Sequence, residues 1–246
     1  MAEPARPPPG ERGPGSPERR APTGRGPAPI PLRLHRSGRF RAWLGARLGG
    51  DAALGDRAWR RILHALGAAV LVYEVVPERF FVIAGKEWVL LAALAAVLVL
   101  EALRHTVGLE LPTIRPYESH RVGSFAFYAV ALVLAVLLFP LPIAAAIVLG
   151  TALVDPLAGE LRIAGRFPGA YPAVPLVAYS VLAWTGLAVI GSWPALPSAG
   201  LAVLAAPIAV VAEGRKIPWV DDDLAMTLVP GLVLYVLGAL ALGLPR

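Results

Sequence analysis

Between residues 87 and 242 the chain alternates long apolar runs with short connectors, and that alternation leaves few folds open. The runs cover residues 87–103, 123–139, 141–157, 172–190, 196–211 and 224–242. A shorter run at 62–76 carries His64 and Glu74. An α-helix needs ~20 apolar residues to cross ~30 Å of hydrocarbon, and the six longer runs come close to that length. In lipid every backbone polar group must be satisfied within its own segment, so helices are expected. The chain therefore reads as all-α, a polytopic transmembrane bundle of about seven helices over residues 58–243, or six if the 62–76 run lies in the interface. Hydrophobic residues make up 57% of the 246, charged residues 16%, and mean hydropathy is +0.63. Soluble domains average ~45–50% apolar and ~25% charged.

The first fifth is a different material. Residues 1–50 are rich in Pro, Gly and Arg and poor in aromatic and β-branched residues. Such a segment buries too little apolar surface to offset its ordering entropy, which predicts a disordered tail. No apolar stretch follows its basic start, so it is not expected to act as a signal peptide. Ten of its residues are arginines, from Arg6 to Arg47, and they account for the formal charge of +6. That placement points to a cytoplasmic tail that helps set topology, and to no specific nucleic-acid partner. With no cysteine, disulfides, thiolate metal sites and cysteine nucleophiles are excluded.

The connectors sort by charge. "PLP" and "GSWPALPS" carry none, whereas the loops around 104–121, 160–166 and 213–223 carry many. With seven helices and a basic tail inside, these three loops share the cytoplasmic face of an integral, multi-pass cell-membrane protein. Only Arg79 and Lys86, in the first outer loop, weaken the pattern. The first inner loop, "RPYESHRVGS", holds Glu118 and Arg121. The second, "GTALVDPLAGELRIAGRFPG", holds Asp155, Glu160, Arg162 and Arg166. The third, "AEGRKIPWVDDDL", holds Arg215, Lys216, Asp221, Asp222 and Asp223.

Asp155 is the sharpest of these. It lies ~21 Å along a helix that starts near 141, still at membrane depth, where an ionised carboxylate costs at least ~2.5–3.5 kcal/mol at mid-bilayer and less near the interface. It should face a cavity and a partner. Pro156 cannot donate a backbone hydrogen bond and disfavours a helical residue before it, which predicts a break or kink at Asp155. The aspartate triplet exceeds what capping requires. One carboxylate suits a helix N-terminus, but three repel one another unless a cation offsets them. Mg²⁺ takes oxygen ligands, one or two carboxylates plus substrate phosphates, and the nearby cations suit phosphate oxygens. The expectation is a Mg²⁺-dependent step on a phosphate compound. No phosphate-binding glycine loop, dinucleotide fingerprint, protein-kinase signature or nucleophile elbow is present. The four histidines are scattered along the chain, so a histidine metal site is not expected.

Four segments resemble the polytopic dolichol kinase, phytol kinase and CTP-dependent diacylglycerol kinase family, which is related more distantly to phosphatidate cytidylyltransferases. "RRILHALG" resembles its Arg-Lys-x-x-His opening, and "YESHRVGSFAFY" the charged entry to a later helix. "VDPLAGELRIAG" resembles its Gly-Asp-x-x-Ala-x-x-x-Gly segment, and "VDDDLAMTLVPGLVLYVL" the Asp-Asp-Asn-Leu start of its last helix. The resemblance implies phosphoryl transfer from a nucleotide triphosphate, usually CTP, to a lipid alcohol such as a polyprenol or diacylglycerol drawn from membrane lipids. It implies catalytic and metal-binding roles for Asp155, Asp221 and Asp222, with Glu118 and Arg121 as further candidates. Arg162, Arg166, Arg215 and Lys216 are the candidates for holding phosphates. Val154 stands in place of the family's glycine, and Asp223 in place of its asparagine. The family's Lys-Ser-x-Glu-Gly stretch has no counterpart, since residues 168–212 carry no charge. Cytidylyl transfer and a non-catalytic, transporter-like role are the alternatives.

Overall fold

The computed structural model describes residues 36–50, 52–77, 85–109, 111, 114, 118, 121–164, 169–214 and 221–242. Among them every regular element is helical. Two short helices, α1 (Arg36–Arg47) and α2 (Ala52–Leu66), precede a 3-10 helix, Gly67–Val75. Then come α3 (Lys86–Thr106), α4 (Ser124–Leu138), α5 (Leu141–Ala164), α6 (Ala170–Trp184), α7 (Ala195–Gly214) and α8 (Asp222–Leu242). A π-helical turn, Thr185–Ile190, continues α6.

α5, α6, α7 and α8 supply segments long and apolar enough to cross a membrane: Leu141–Arg162, Ala170–Ile190, Ala195–Glu213 and Asp222–Ala241. They mark the chain as a membrane protein. α4 is apolar but shorter, at 15 residues.

The packing is that of helices in lipid rather than in water. α5 is the hub, in contact with α2, the 3-10 helix, α4, α6, α7 and α8. Its buried positions are mostly small: Ala144, Ala145, Ala146, Ala152 and Ala158, beside Ile143, Ile147 and Val148. α7 buries Ala202, Ala205, Ala206 and Ala209 and exposes Val203, Leu204 and Val211. α8 likewise exposes Leu232, Val236 and Leu240. Association between lipid-embedded helices gains nothing from hiding aliphatic side chains, so small residues line the contacts and large ones face outward. Gly186 shows how close the approach is. A Cβ there would strike the backbone of Ala145 and Ala146 on α5.

Three sequence expectations change. Residues 36–47 of the predicted tail form α1, which ends at Gly49 in the left-handed region (φ +73°). Their spacing of Phe40, Trp43 and Leu44 is helical, and Leu44 is half-buried against solvent while Trp43 is exposed. The remainder of that tail up to residue 35 lies outside the described residues. The 62–76 run is not one span: its start completes α2, and its remainder is the 3-10 helix. Finally, α5 runs through Pro156 without a break. Proline removes one ladder bond, and the Pro156 carbonyl accepts from the Arg61 side chain.

Candidate functional site

α2 is amphipathic in an inverted sense. Arg57, Arg61 and His64 follow at i, i+4 and i+7 on one face, and Trp59, Ile62 and Leu66 occupy the other. The exposed residues are Ile62 and Leu66 of the apolar face, with Leu63 at its edge. The cationic face turns inward, onto a cavity of about 460 Å³. That volume lies within the ~300–1,000 Å³ typical of small-molecule sites.

Five other segments complete the walls. Glu118 comes from the loop between α3 and α4, and Ser124, Phe125 and Tyr128 from α4. α5 contributes Asp155, Pro156, Gly159 and Arg162, while α7 contributes Glu213 and α8 Asp222 and Asp223. Cations and carboxylates from helices far apart in sequence thus share one space.

The centre of the carboxylate wall joins α2, α5 and α8. His64 Nε2 lies 3.6 Å from Asp155 Oδ2 and 3.8 Å from Asp223 Oδ1. One ligand atom from each of the three residues lies within 4.8 Å of the others. The imidazole is held by stacking on Tyr128, with ring centroids 3.8 Å apart, and the Tyr128 hydroxyl donates to the His64 carbonyl (2.7 Å). One turn along both α5 and α8, the Thr151 and Thr227 hydroxyls meet at 3.1 Å in the buried interface. Thr227 also donates to the Asp223 carbonyl (2.8 Å). Because Thr151/Asp155 and Asp223/Thr227 are both i, i+4 pairs, this contact fixes the register that sets the two carboxylates side by side.

Asp221 has a different task. Its Oδ1 accepts from the Asp223 N–H (3.2 Å) and its carbonyl from the Ala225 N–H (3.2 Å), so it caps α8. Burial, and then the adjacent Asp222 carboxylate, push its pKa up to about 6. The carboxylate that meets Asp155 is therefore that of Asp223, not of Asp221. The triplet's own oxygens also lie within 4.8 Å of one another.

Of the other expected residues, Glu118 is buried at the cavity wall. Arg121 is exposed and does not line the cavity, and its carbonyl accepts from Arg104. Arg162 lines the cavity but is ion-paired with Glu213 and lies over the Tyr171 ring. Arg166, Arg215 and Lys216 lie outside the described residues.

His64 corrects the expectation that no histidine belongs to a metal-competent cluster. Ninety-one positions separate it from Asp155, and only the packing of α2 on α5 brings them together. The helical spacing Arg57–Arg61–His64 was the signal available in the sequence. Arg57, Arg60, Arg61 and Glu213 also line the cavity, although none was a sequence candidate.

The position of Glu118 depends on a second charge cluster. Arg104 donates through Nε and Nη2 to the two oxygens of Glu101, at 2.8 and 2.6 Å. Its Nη1 donates to the Glu118 carbonyl (3.1 Å) and its Nη2 to that of Arg121. Glu101 Oε1 in turn accepts from the Gly123 N–H (2.8 Å). One buried ion pair thereby pins the α3–α4 loop at both Glu118 and Gly123.

The His64–Asp155–Asp223 group suits a divalent cation. Octahedral Mg²⁺ at ~2.0–2.1 Å holds opposite ligands ~4 Å apart, so donors within 4.8 Å need only a slight contraction. The two carboxylates are hard donors that suit Mg²⁺, and the imidazole extends the set toward Mn²⁺ or Zn²⁺. Compared with protein-family models, with characterised proteins and with solved structures, the chain matches none.

Proposed function

We propose that the protein is a multi-pass membrane phosphotransferase of the dolichol-kinase-like kind, with its N-terminal tail and its cavity on the cytoplasmic side. The donor is a nucleotide triphosphate, CTP by resemblance, and the acceptor is the hydroxyl of a lipid alcohol such as a polyprenol or diacylglycerol. In this reading α3 and α4 complete the bundle beside the four helices that supply the long apolar segments.

The single observation that carries the reading is the cavity itself. It gathers arginines and carboxylates from separate helices around one space, among helices whose outer surfaces are aliphatic. Phosphoryl transfer demands chiefly positioning and charge neutralisation, and those are the parts present. Asp155 and Asp223, with His64, would hold Mg²⁺, and Asp222 is a further carboxylate at the same wall. When bound, Mg²⁺ neutralises charge on the phosphate oxygens. The arginines would hold phosphate oxygens through charge-assisted hydrogen bonds. The acceptor oxygen forms its bond to the terminal phosphorus as the bond to the nucleoside diphosphate breaks, and the hydroxyl proton passes to a cavity carboxylate.

The test incubates membranes carrying the protein with labelled CTP or ATP and a panel of prenols and diacylglycerol. The expected result is a labelled lipid phosphate and nucleoside diphosphate, lost in Asp155→Asn. Release of pyrophosphate with a nucleotide-linked lipid would assign cytidylyl transfer instead. Solute flux in proteoliposomes without nucleotide turnover would assign transport, the role consistent with the uncharged stretch at 168–212. Full activity in Asp155→Asn would sink the kinase reading.

A further inference from the structure

We infer that Arg57 is the receptor for a phosphate group in this cavity. The other described arginines of the wall have commitments. Arg61 pairs with Glu160 at 2.9 Å and donates to the Pro156 carbonyl. Arg162 is paired with Glu213. Arg57 lines the same cavity, and its Nε is buried without a hydrogen-bond partner. No ion pair or hydrogen bond joins it to any described residue.

A guanidinium cannot shed its proton at any ordinary pH. Left in a partly enclosed cavity without a counter-charge, it carries a desolvation cost that an incoming anion relieves. Arg57 and His64 stand seven residues apart on one face of α2, ~10 Å along the helix axis. The uncommitted cation and the carboxylate group therefore line one cavity, two turns of α2 apart. Phosphate is the anion that fits between them. Its oxygens accept both N–H groups of a guanidinium fork while others turn to a divalent cation. A carboxylate, with two oxygens, has none left over for the cation once both face the fork.

The inference rests on the reading above for the cation side of the cavity, but not on the phosphotransfer step. Two sources supply the same chemistry: a nucleotide's phosphate chain from the water phase, or a lipid headgroup phosphate from the bilayer. The full chain is purified in a maltoside detergent, which carries no phosphate, and titrated with Mg²⁺ present. One arm uses inorganic tripolyphosphate, the other mixed micelles bearing phosphatidate.

Wild-type protein is expected to bind at least one probe saturably, and the arm that responds identifies the source. Arg57→Gln should weaken that binding about tenfold or more. Arg57→Lys, which keeps the charge but loses the fork, should weaken it about threefold. The lysine variant also serves if Arg57→Gln does not fold. Wild-type affinity in both variants, or saturable binding of neither probe to the wild type, would overturn the inference. The two readings fail separately. Arg57-dependent binding without lipid phosphorylation removes the kinase, whereas undiminished lipid phosphorylation by Arg57→Gln removes the phosphate receptor.

Discussion

Two charge clusters, one buried and one partly open to the cavity, lie next to each other in this protein, and they are built on opposite principles. In the Glu101–Arg104 clasp, charges of opposite sign meet in bidentate geometry and the remaining donors reach loop carbonyls. In the cavity, two carboxylates approach a histidine whose Nε2 is buried and makes no hydrogen bond to any described residue. The first cluster is complete as it stands. The second is arranged for something to be added. Buried polar networks that are satisfied rigidify a fold, whereas incomplete ones mark the places where a fold gives up stability for binding.

The clasp should break most expensively. Arg104→Ala leaves the buried Glu101 carboxylate with only the His105 imidazole (3.2 Å) and the Gly123 N–H, and releases the loop at Glu118. A loss of ~3–5 kcal/mol is expected on denaturant unfolding in detergent. The paired change to Glu101→Gln and Arg104→Met should recover part of it, because no lone charge is then buried.

The cavity should respond with the opposite sign. Asp155→Asn is expected to weaken Mn²⁺ binding, followed by its paramagnetic resonance, by ~100-fold or more, at or beyond the upper end of what losing a supporting group costs. The same change should raise the stability of the metal-free protein by ~1 kcal/mol, since one of two adjacent like charges is gone. A destabilised Asp155→Asn protein would make the cavity merely another structural cluster and erase the contrast.

A smaller effect tests how α5 and α8 are kept in register. Thr227→Val removes the hydroxyl shared with Thr151 and the bond to the Asp223 carbonyl. It should cost ~1 kcal/mol in unfolding and weaken metal binding several-fold more than that stability loss alone explains. Equal metal affinity would show that the carboxylates need no such alignment.

The smallest effect belongs to Asp221. Its carboxyl holds a proton more tightly in the folded protein, at about 6, than at its ordinary value of 3.8. Folding therefore favours its protonated form. The resulting stability is fully present below the unfolded value and is lost as pH rises through the folded one. In metal-free protein the thermal midpoint should rise on going from pH ~7.5 to ~5, and Asp221→Asn, which still caps, should flatten that rise.

Hydropathy made the larger helices legible, because a run fit for lipid has one backbone solution. Each of the six longer runs coincides with one of the helices α3 to α8. The 172–190 run takes in the π-helical continuation of α6, and the 123–139 run overhangs α4 by one residue at each end. α1 was obscured because its arginines resemble the Pro/Gly/Arg segment before it, while the apolar spacing that separates them is only a few residues long. Pro156 signals a break from its own missing hydrogen bond, whereas α5 is gripped on several sides by its neighbours and stays continuous. Asp155 was visible as a carboxylate at the wrong depth. Which member of the triplet would meet it was not, since successive helix residues point ~100° apart and the phase is fixed only once Asp221 becomes the cap. His64 and Arg57 were further out of reach. Their meaning comes from α2 turning its charged side inward, which only the surrounding helices decide.

The burial pattern also reverses the usual map of mutational tolerance. In a water-soluble protein the vulnerable positions are large core side chains, and trimming them leaves voids. Here many large aliphatic residues of α7 and α8 face outward, while alanines and Gly186 occupy the helix contacts. Trimming Leu232 or Val203 removes little that another helix depends on. Enlarging Ala146, Ala205 or Gly186 by a few carbons would instead wedge helices apart. The most fragile positions in this molecule are those with the least side chain to lose.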